Sequence, residues 1–346
     1  MNLDNIILEP IIDSVQLLKI SDEDYFSPLY ADYISNSRLK LIDPDKGGSP
    51  QSFFDGFAAN KLYSDSLVFG SAVHECLLQP EYFFICDSVN RPSAKLGFIA
   101  DILYGYECEL SNDCILRACS DVDYYHGNLT DNQILTLRKK IMPYIDKRRE
   151  FENNLDSDKT PIYLDEKSRE KLYLCMNNLN TNSYIQNLLH PMGLLDPIES
   201  MNEWAILLDI KVTVDNGEPF IIKLKSKLDN FTIDKENNLI VINDLKTHGN
   251  YIDTFKDAVI NFSYHRELAF YSTLMRYVAK KYYNLDNPTI RGNFLVVSTV
   301  PDYYTTVYRM TKELFYDGMK DFQRLLRLVC YYKYYGFQRE ETVLCE

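Results

Sequence analysis

The residues with the clearest chemical potential lie in one short run, Asn243-Asp244-Leu245-Lys246-Thr247. If the run is a strand, alternation puts Asp244 and Lys246 on one face, an acid beside a cation at a strand end. Two charges on a strand otherwise built of Leu, Ile and Val are costly to bury unless they pair with each other or with an ion. Asp229 stands fifteen residues earlier, and a hairpin through Asp-Lys-Glu-Asn-Asn would carry its carboxylate towards Asp244. Two carboxylates and a lysine so placed suit hydrolysis of a phosphodiester. Mg²⁺ or Mn²⁺ would bind Asp229, Asp244 and the Leu245 carbonyl, and Lys246 would sit beside the attacking water. The competing reading of Asp244 and Lys246 is a weak surface ion pair.

Other candidates carry two readings each. His74 lies in an apolar stretch, where a lone histidine is more often a hydrogen-bonded core residue than a ligand. Lys223, Lys225 and Lys227 alternate with Ile222, Leu224 and Leu228. They form either a solvated face or a phosphate track leading to Asp229. His248 is near enough to the Asp-Leu-Lys run to touch a phosphate, and His126, His190 and His265 read as surface or loop residues.

Composition limits how such a site could meet its substrate. The net charge of -13 excludes coating nucleic acid with a broad basic surface, so contact must come from a local patch or an enclosing channel. Carboxylates that collect divalent cations are compatible with that charge, because the ions reverse it locally. The 27 Tyr and 18 Phe could stack bases, although most such rings belong in a core. Eight cysteines without a Cys-x-x-Cys pair argue for free thiols rather than a zinc site. The opening MNLDNIILEP lacks the positive segment of a secretory leader, and no apolar run approaches membrane-spanning length. The expectation is a cytoplasmic protein with no membrane partner.

The elements that would position these residues read as α/β. The part up to about Phe84 is expected to be mostly helical, with Ser35 or Ser37 capping a helix at Arg-Leu-Lys-Leu-Ile and a second helix from Phe69 to Leu78 stopped by Pro80. Residues 85–165 read as an insertion or clamp with one strongly charged helix, and a further helix covers Glu166 to Leu179. The pattern then changes to period two. Trp204 to Val214, Pro219 to Asp234 and Leu239 to Lys246 read as three strands joined by turn-forming Val-Asp-Asn-Gly-Glu-Pro and Asp-Lys-Glu-Asn-Asn. A helix from about Tyr264 to Tyr282, two strands at Gly292 to Thr299 and Thr305 to Thr311, and a helix starting near Lys312 complete the pattern. With no repeat or obvious linker, the expectation is one domain over 1–346: a helical part at 28–84, the insertion at 85–165, a core at 166–311 and a last helix at 312–346.

Several of these motifs together resemble one family. Gly70 to Phe83, GSAVHECLLQPEYF, resembles the helix that opens RecB-like nucleases of the PD-(D/E)XK class, and is most similar to RecE-type exodeoxyribonucleases of phages and prophages. Tyr-Ile-Ser-Asn-Ser37-Arg-Leu and the Pro50-to-Phe57 segment resemble the family's opening. Lys-Leu-Asp229 and Asn-Asp244-Leu-Lys246 match its acid motifs, and Glu203 stands where the family often has an acid. Glu267-Leu-Ala-Phe-Tyr271 corresponds to a family Gln-x-x-x-Tyr, with Glu replacing Gln.

The resemblance implies a restriction-endonuclease-like core, a central mixed β-sheet flanked by helices. It implies His74 as a metal ligand beside Asp229 and Asp244, and Glu203, Glu267, Tyr271 and Ser37 near the substrate. It further implies Mg²⁺- or Mn²⁺-dependent hydrolysis of DNA, first as an exonuclease on duplex ends, with an endonuclease or nickase as the variant. DNA, a single-strand annealing protein and further copies of the chain are the expected partners. The alternative is a non-catalytic nucleic-acid-binding or phage assembly protein that keeps the fold.

Overall fold

A computed structural model describes residues 3–56, 63–106, 111–192 and 198–337. In chain order the elements are β1 (Ile6–Pro10), β2 (Gln16–Leu18), α1 (Asp22–Tyr25), α2 (Asn36–Leu39), α3 (Pro50–Asp55), α4 (Asp65–Leu78), β3 (Phe83–Ile85), α5 (Ala94–Tyr104), α6 (Asn112–Asp121) and α7 (Asp131–Asn153). They continue with β4 (Thr160–Ile162), α8 (Glu166–Thr181), α9 (Ser183–Leu189), β5 (Glu199–Val214), β6 (Phe220–Asp234), β7 (Leu239–His248), α10 (Phe255–Asn261), α11 (Tyr264–Tyr283), β8 (Thr289–Ser298), β9 (Thr305–Arg309) and α12 (Lys312–Tyr335). Two compact units share them: residues 1–59, 182–297 and 305–346 form the first, and 60–181 with 298–304 the second. Among the described residues no helix is long and apolar enough to cross a membrane.

The first unit is a mixed α/β layer, a central mixed sheet of order β1-β5-β6-β7-β8-β9 flanked by helices. The turn between β5 and β6 forms because Asp215 and Asn216 take positive φ (48° and 59°), the conformation that a tight hairpin needs and that Asn and Asp tolerate. The β6–β7 turn is held by the Asp234 carboxylate, which accepts the Asn237 N–H at 3.0 Å. Both turns fall where the sequence places them. The N-terminal part is less helical than expected: β1 and β2 lie antiparallel along β5, with Ile6 opposite Val214 and Gln16 opposite Leu207. Strands this short show no periodicity of their own, and they are extended because the edge of β5 offers hydrogen-bonding groups that need partners.

Side chains alternate on β7 between two helical layers. Asn243 donates to the Leu188 carbonyl of α9, and the neighbouring Asp244, pointing the other way, leads to α11. Asn243 also belongs to a buried amide row across four strands. Asn230 Nδ2 donates to Asn202, Asn243 Nδ2 to Asn230, and Asn293 Nδ2 to Asn243, at 2.7 to 2.9 Å. Such a row pins strand register, because a slip of one residue would take these amides away from one another.

Helix α12 crosses the first turn of α11 at Gly318. A Cβ there would stand 2.3 Å from the His265 carbonyl oxygen, and a backbone atom cannot step aside cheaply. Gly318→Ala is expected to cost about 1–3 kcal/mol by forcing the helices apart. Urea unfolding would measure it, and an unchanged midpoint would mean that the two helices are not held at this separation.

The second unit gathers α4 to α8 and a parallel β3–β4 pair around its own core, which includes Ile99, Leu103, Ile115, Ile141 and Ile145. It therefore joins the helix carrying His74 to most of the 85–165 stretch. Of the cysteines, Cys76, Cys86, Cys114, Cys119, Cys175 and Cys330 are free thiols, and Cys108 and Cys345 fall outside the described residues.

Candidate active site

The site forms where β7 parts from β6. Their last paired rung is Asn230 with Asn243, and the next residues on that line are Asp229 and Asp244. The Asp229 carboxylate accepts the Leu245 backbone N–H at 2.7 Å, so it serves as a side-chain rung just where the ladder ends. Asp244 is buried, with 1% of its surface exposed. Its Oδ2 lies 2.7 Å from Lys246 Nζ, and Glu267 Oε2 lies 3.3 Å from the same ammonium. The Tyr264 ring covers that ammonium at 4.9 Å, and the Tyr271 hydroxyl donates to Glu267 at 3.1 Å.

The electrostatics follow from burial. Removal from water pushes the Asp244 carboxyl up to about 8; the Lys246 charge opposes this, and Glu267 and Asp229 add to it. Burial works against the Lys246 ammonium, yet Asp244 and Glu267 hold its pKa well above the usual lysine range. Tyr271 is raised by burial and by the Glu267, Asp244 and Asp229 charges, so it stays a hydroxyl donor. The lysine is thereby fixed as a cation between two acids.

Glu203 lies on the neighbouring strand between the Asn202–Asn230 and Trp204–Leu228 rungs, which sets it opposite Asp229. Its φ is 58°, a left-handed conformation rare for a glutamate and costing on the order of 1 kcal/mol or more. The side chain is buried and meets Lys227 Nζ at 3.0 Å, and Lys227 also pairs with Asp22. Burial opposes the Lys227 charge, but Glu203 and Asp22 keep its pKa above the ordinary value.

The lysine row on β6 is not one uniform face: Lys223 is exposed, whereas Lys225 and Lys227 are turned to internal partners. Lys225 is buried, donates to the Tyr25 carbonyl at 2.8 Å and lies 4.4 Å from the Tyr25 ring centre. Lys223 lies 5.4 Å from the Tyr33 ring, and Lys227 is spent on its two acids. The segment after β2 covers this face, an arrangement between residues some two hundred positions apart that alternation alone does not reveal. Burial pushes Lys225 down to about 8. Between about pH 8 and 10.5 the unfolded chain then holds a proton here that the folded chain does not, so stability is gained as pH rises through that window. Urea unfolding of Lys225→Met should lack this gain. Parallel pH profiles for the two proteins would contradict it.

Of the sequence candidates, Asp229, Asp244, Leu245, Lys246, Glu267 and Tyr271 come together, and Glu203 lies one strand away. Ser37 is exposed on α2, while Ser35 caps that helix by accepting the Arg38 N–H. His74 belongs to α4 of the second unit, with Nδ1 2.9 Å from the Gly70 carbonyl oxygen. His248 Nε2 lies 2.7 Å from Thr254 Oγ1. The sequence reading passed over Lys40 and Tyr264. Burial lowers the Lys40 pKa, with the Glu267, Arg266, Lys246 and Asp244 charges acting on it, which marks Lys40 as a second lysine at this site. Only its position beside the Ser-x-Ser-x-Leu run could have suggested it.

An all-oxygen pair of carboxylates suits a hard divalent cation. Among the described residues no three His, Cys, Asp or Glu side chains already stand together as a metal cage. Mg²⁺ does not require one, since one or two carboxylates with water and substrate phosphates commonly hold it.

No family profile matches the chain, and no curated protein matches it. A solved structure from Eubacterium rectale, named a "putative exonuclease", is similar at 12% identity over 95% of this chain and 92% of that one, with a TM-score of 0.48. A likeness at this level says nothing of activity, substrate or metal.

Proposed function

We propose that the chain is a divalent-metal-dependent nuclease of the PD-(D/E)XK class. The observation that carries this reading is the convergence of Asp229, Asp244 and Lys246 where two neighbouring strands part. The order α9, β5-β6-β7 meander, α11, β8 supports it, because that is the helix-and-sheet core the sequence motifs imply.

Asp229 and Asp244 are the residues that would hold Mg²⁺ or Mn²⁺, with the Leu245 carbonyl nearby. The ion would supply positive charge against the phosphate and lower the pKa of water. Lys246 donates hydrogen bonds to the attacking water or to a phosphate oxygen, and Asp244 and Glu267 hold its Nζ in place. Water adds to phosphorus, losing a proton to solvent, as the bond to the departing deoxyribose oxygen breaks and that oxygen takes up a proton from solvent. Glu267 keeps Lys246 cationic and Tyr271 orients Glu267, so the replacement of the family glutamine acts first on the lysine.

Within this reading the substrate is duplex DNA attacked from its ends, as in RecE-type exonucleases. The acidic surface favours a closed oligomer or narrow channel over open binding, and a single-strand annealing protein is the expected partner. Purified protein with Mg²⁺ should degrade linear duplex and spare covalently closed circles. Equal rates on both would leave an endonuclease, and no hydrolysis of any DNA or RNA would leave a binding or assembly protein. His74 enters through its own test: weaker Mn²⁺ retention in His74→Ala would add an imidazole to the donor set.

A further inference from the structure

Resting on the nuclease reading, we propose that the outward face of α7 in the second unit grips the nucleic-acid backbone, with Lys139, Lys140 and Lys147 as its phosphate contacts. The chain carries a net charge of -13, so an approaching polyanion is repelled unless a local strip reverses the sign. Residues 138–149, Arg-Lys-Lys-Ile-Met-Pro-Tyr-Ile-Asp-Lys-Arg-Arg, hold six cationic side chains and one acidic one.

The helix sorts them by period. Ile134, Leu137, Ile141, Tyr144 and Ile145 face the core of the unit, and Lys139, Lys140 and Lys147 are exposed on the opposite side. Lys140 and Lys147 are seven residues apart, hence on one side of the helix and about 10 Å apart along its axis. Arg138 and Arg149 are half-buried at the margins. The first donates to Asn112 at 3.1 Å, and the second lies 5.9 Å from the Tyr104 ring. Arg148 turns inward to Glu152 and Asp101 at 2.8 and 3.4 Å and takes no part. Asp146 and Glu150 share the outward face, so five cations stand against two acids.

Of the cations near Asp229 and Asp244, Lys227 is committed to Asp22 and Glu203, and Lys246 to Asp244 and Glu267. The lysines of α7 are exposed point charges on flexible stems, which suits sequence-independent contact with a repeating phosphate chain rather than recognition of one rigid ligand.

The test titrates the full chain, in EDTA to prevent cleavage, with a fluorescent duplex over a salt series. The triple variant Lys139→Gln, Lys140→Gln, Lys147→Gln is compared with wild type and with a charge-matched control, Lys167→Gln, Lys280→Gln, Lys312→Gln. The α7 variant should bind at least tenfold more weakly at 100 mM salt, and its slope of log affinity against log salt should be shallower by about 2–3, near 0.9 per lost phosphate contact. The control should lose much less. Equal losses in both variants, or none in either, would overturn the proposal. So would lost retention on phosphatidylserine vesicles with duplex affinity intact. The two readings fail separately: Mg²⁺-dependent cleavage with an unchanged salt slope sinks only the α7 contact, while a lost slope without any cleavage sinks only the nuclease.

Discussion

Asp244→Asn is expected to lower Mg²⁺-dependent hydrolysis by about 10³-fold, while making the metal-free protein less sensitive to alkali. The first effect follows from losing a carboxylate that helps place metal charge on the phosphate, worth several kcal/mol of transition-state stabilisation at about 1.36 kcal/mol per factor of ten. The second follows from burial. The folded carboxyl holds its proton up to about 8, against an ordinary value of 3.8. Between those pH values the folded state binds more protons than the unfolded state, so wild-type stability falls as pH rises. The asparagine does not titrate, and the difference between the two proteins should therefore move in the variant's favour as pH rises from 4 to 8. Urea unfolding in EDTA at several pH values measures this. Hydrolysis intact in the variant would remove Asp244 from the catalytic centre, and parallel stability profiles would mean that the carboxyl is ionised throughout.

Arg266→Met should produce the largest loss of stability, about 3–5 kcal/mol. Its guanidinium is fully buried, with Nη1 3.0 Å from Asp43 and 2.9 Å from Asp321 and Nε donating to Asn36 at 3.0 Å. Asp43 is itself only 1% exposed. Removing the arginine leaves that carboxylate with the Asp45 N–H and with Arg324, whose side chain is 37% exposed and screened by water. Arg324→Met should cost far less, about 1 kcal/mol or below. Thermal unfolding of the two variants decides it: similar, small losses would mean that the buried arginine adds little to the fold. Because Arg266 precedes Glu267, this anchor also sets where the first turn of α11 meets Lys246. Arg266→Met should therefore lower activity even at temperatures where it remains folded.

The parts of the fold legible beforehand are those governed by local rules. Alternation over 204–246 and two turn-forming stretches identify the meander, because a hairpin is decided by residues adjacent in sequence. The same alternation puts Asp244 and Lys246 on one face. Helical spacing puts Glu267 and Tyr271 together, and the structure joins them by a hydrogen bond. Glu267 also pairs with Lys246, which its charge allows but its spacing does not require. Less local features escape. Residues 6–10 and 16–18 become strands only because β5 presents an edge, and Lys225 loses its solvent only because Tyr25 closes over it.

Residue types and periodicity thus determined by themselves which side chains could form a hydrolytic set and which strands and helix bear them. Tertiary structure alone decided which charges are buried, which lysines are spent on internal partners, and that Glu203 adopts a left-handed backbone opposite Asp229. The reason is one of range. Backbone preference and side-chain period act over a few residues, whereas desolvation and ion pairing depend on groups such as Asp43 and Arg266, 223 positions apart, that meet only when the chain has folded.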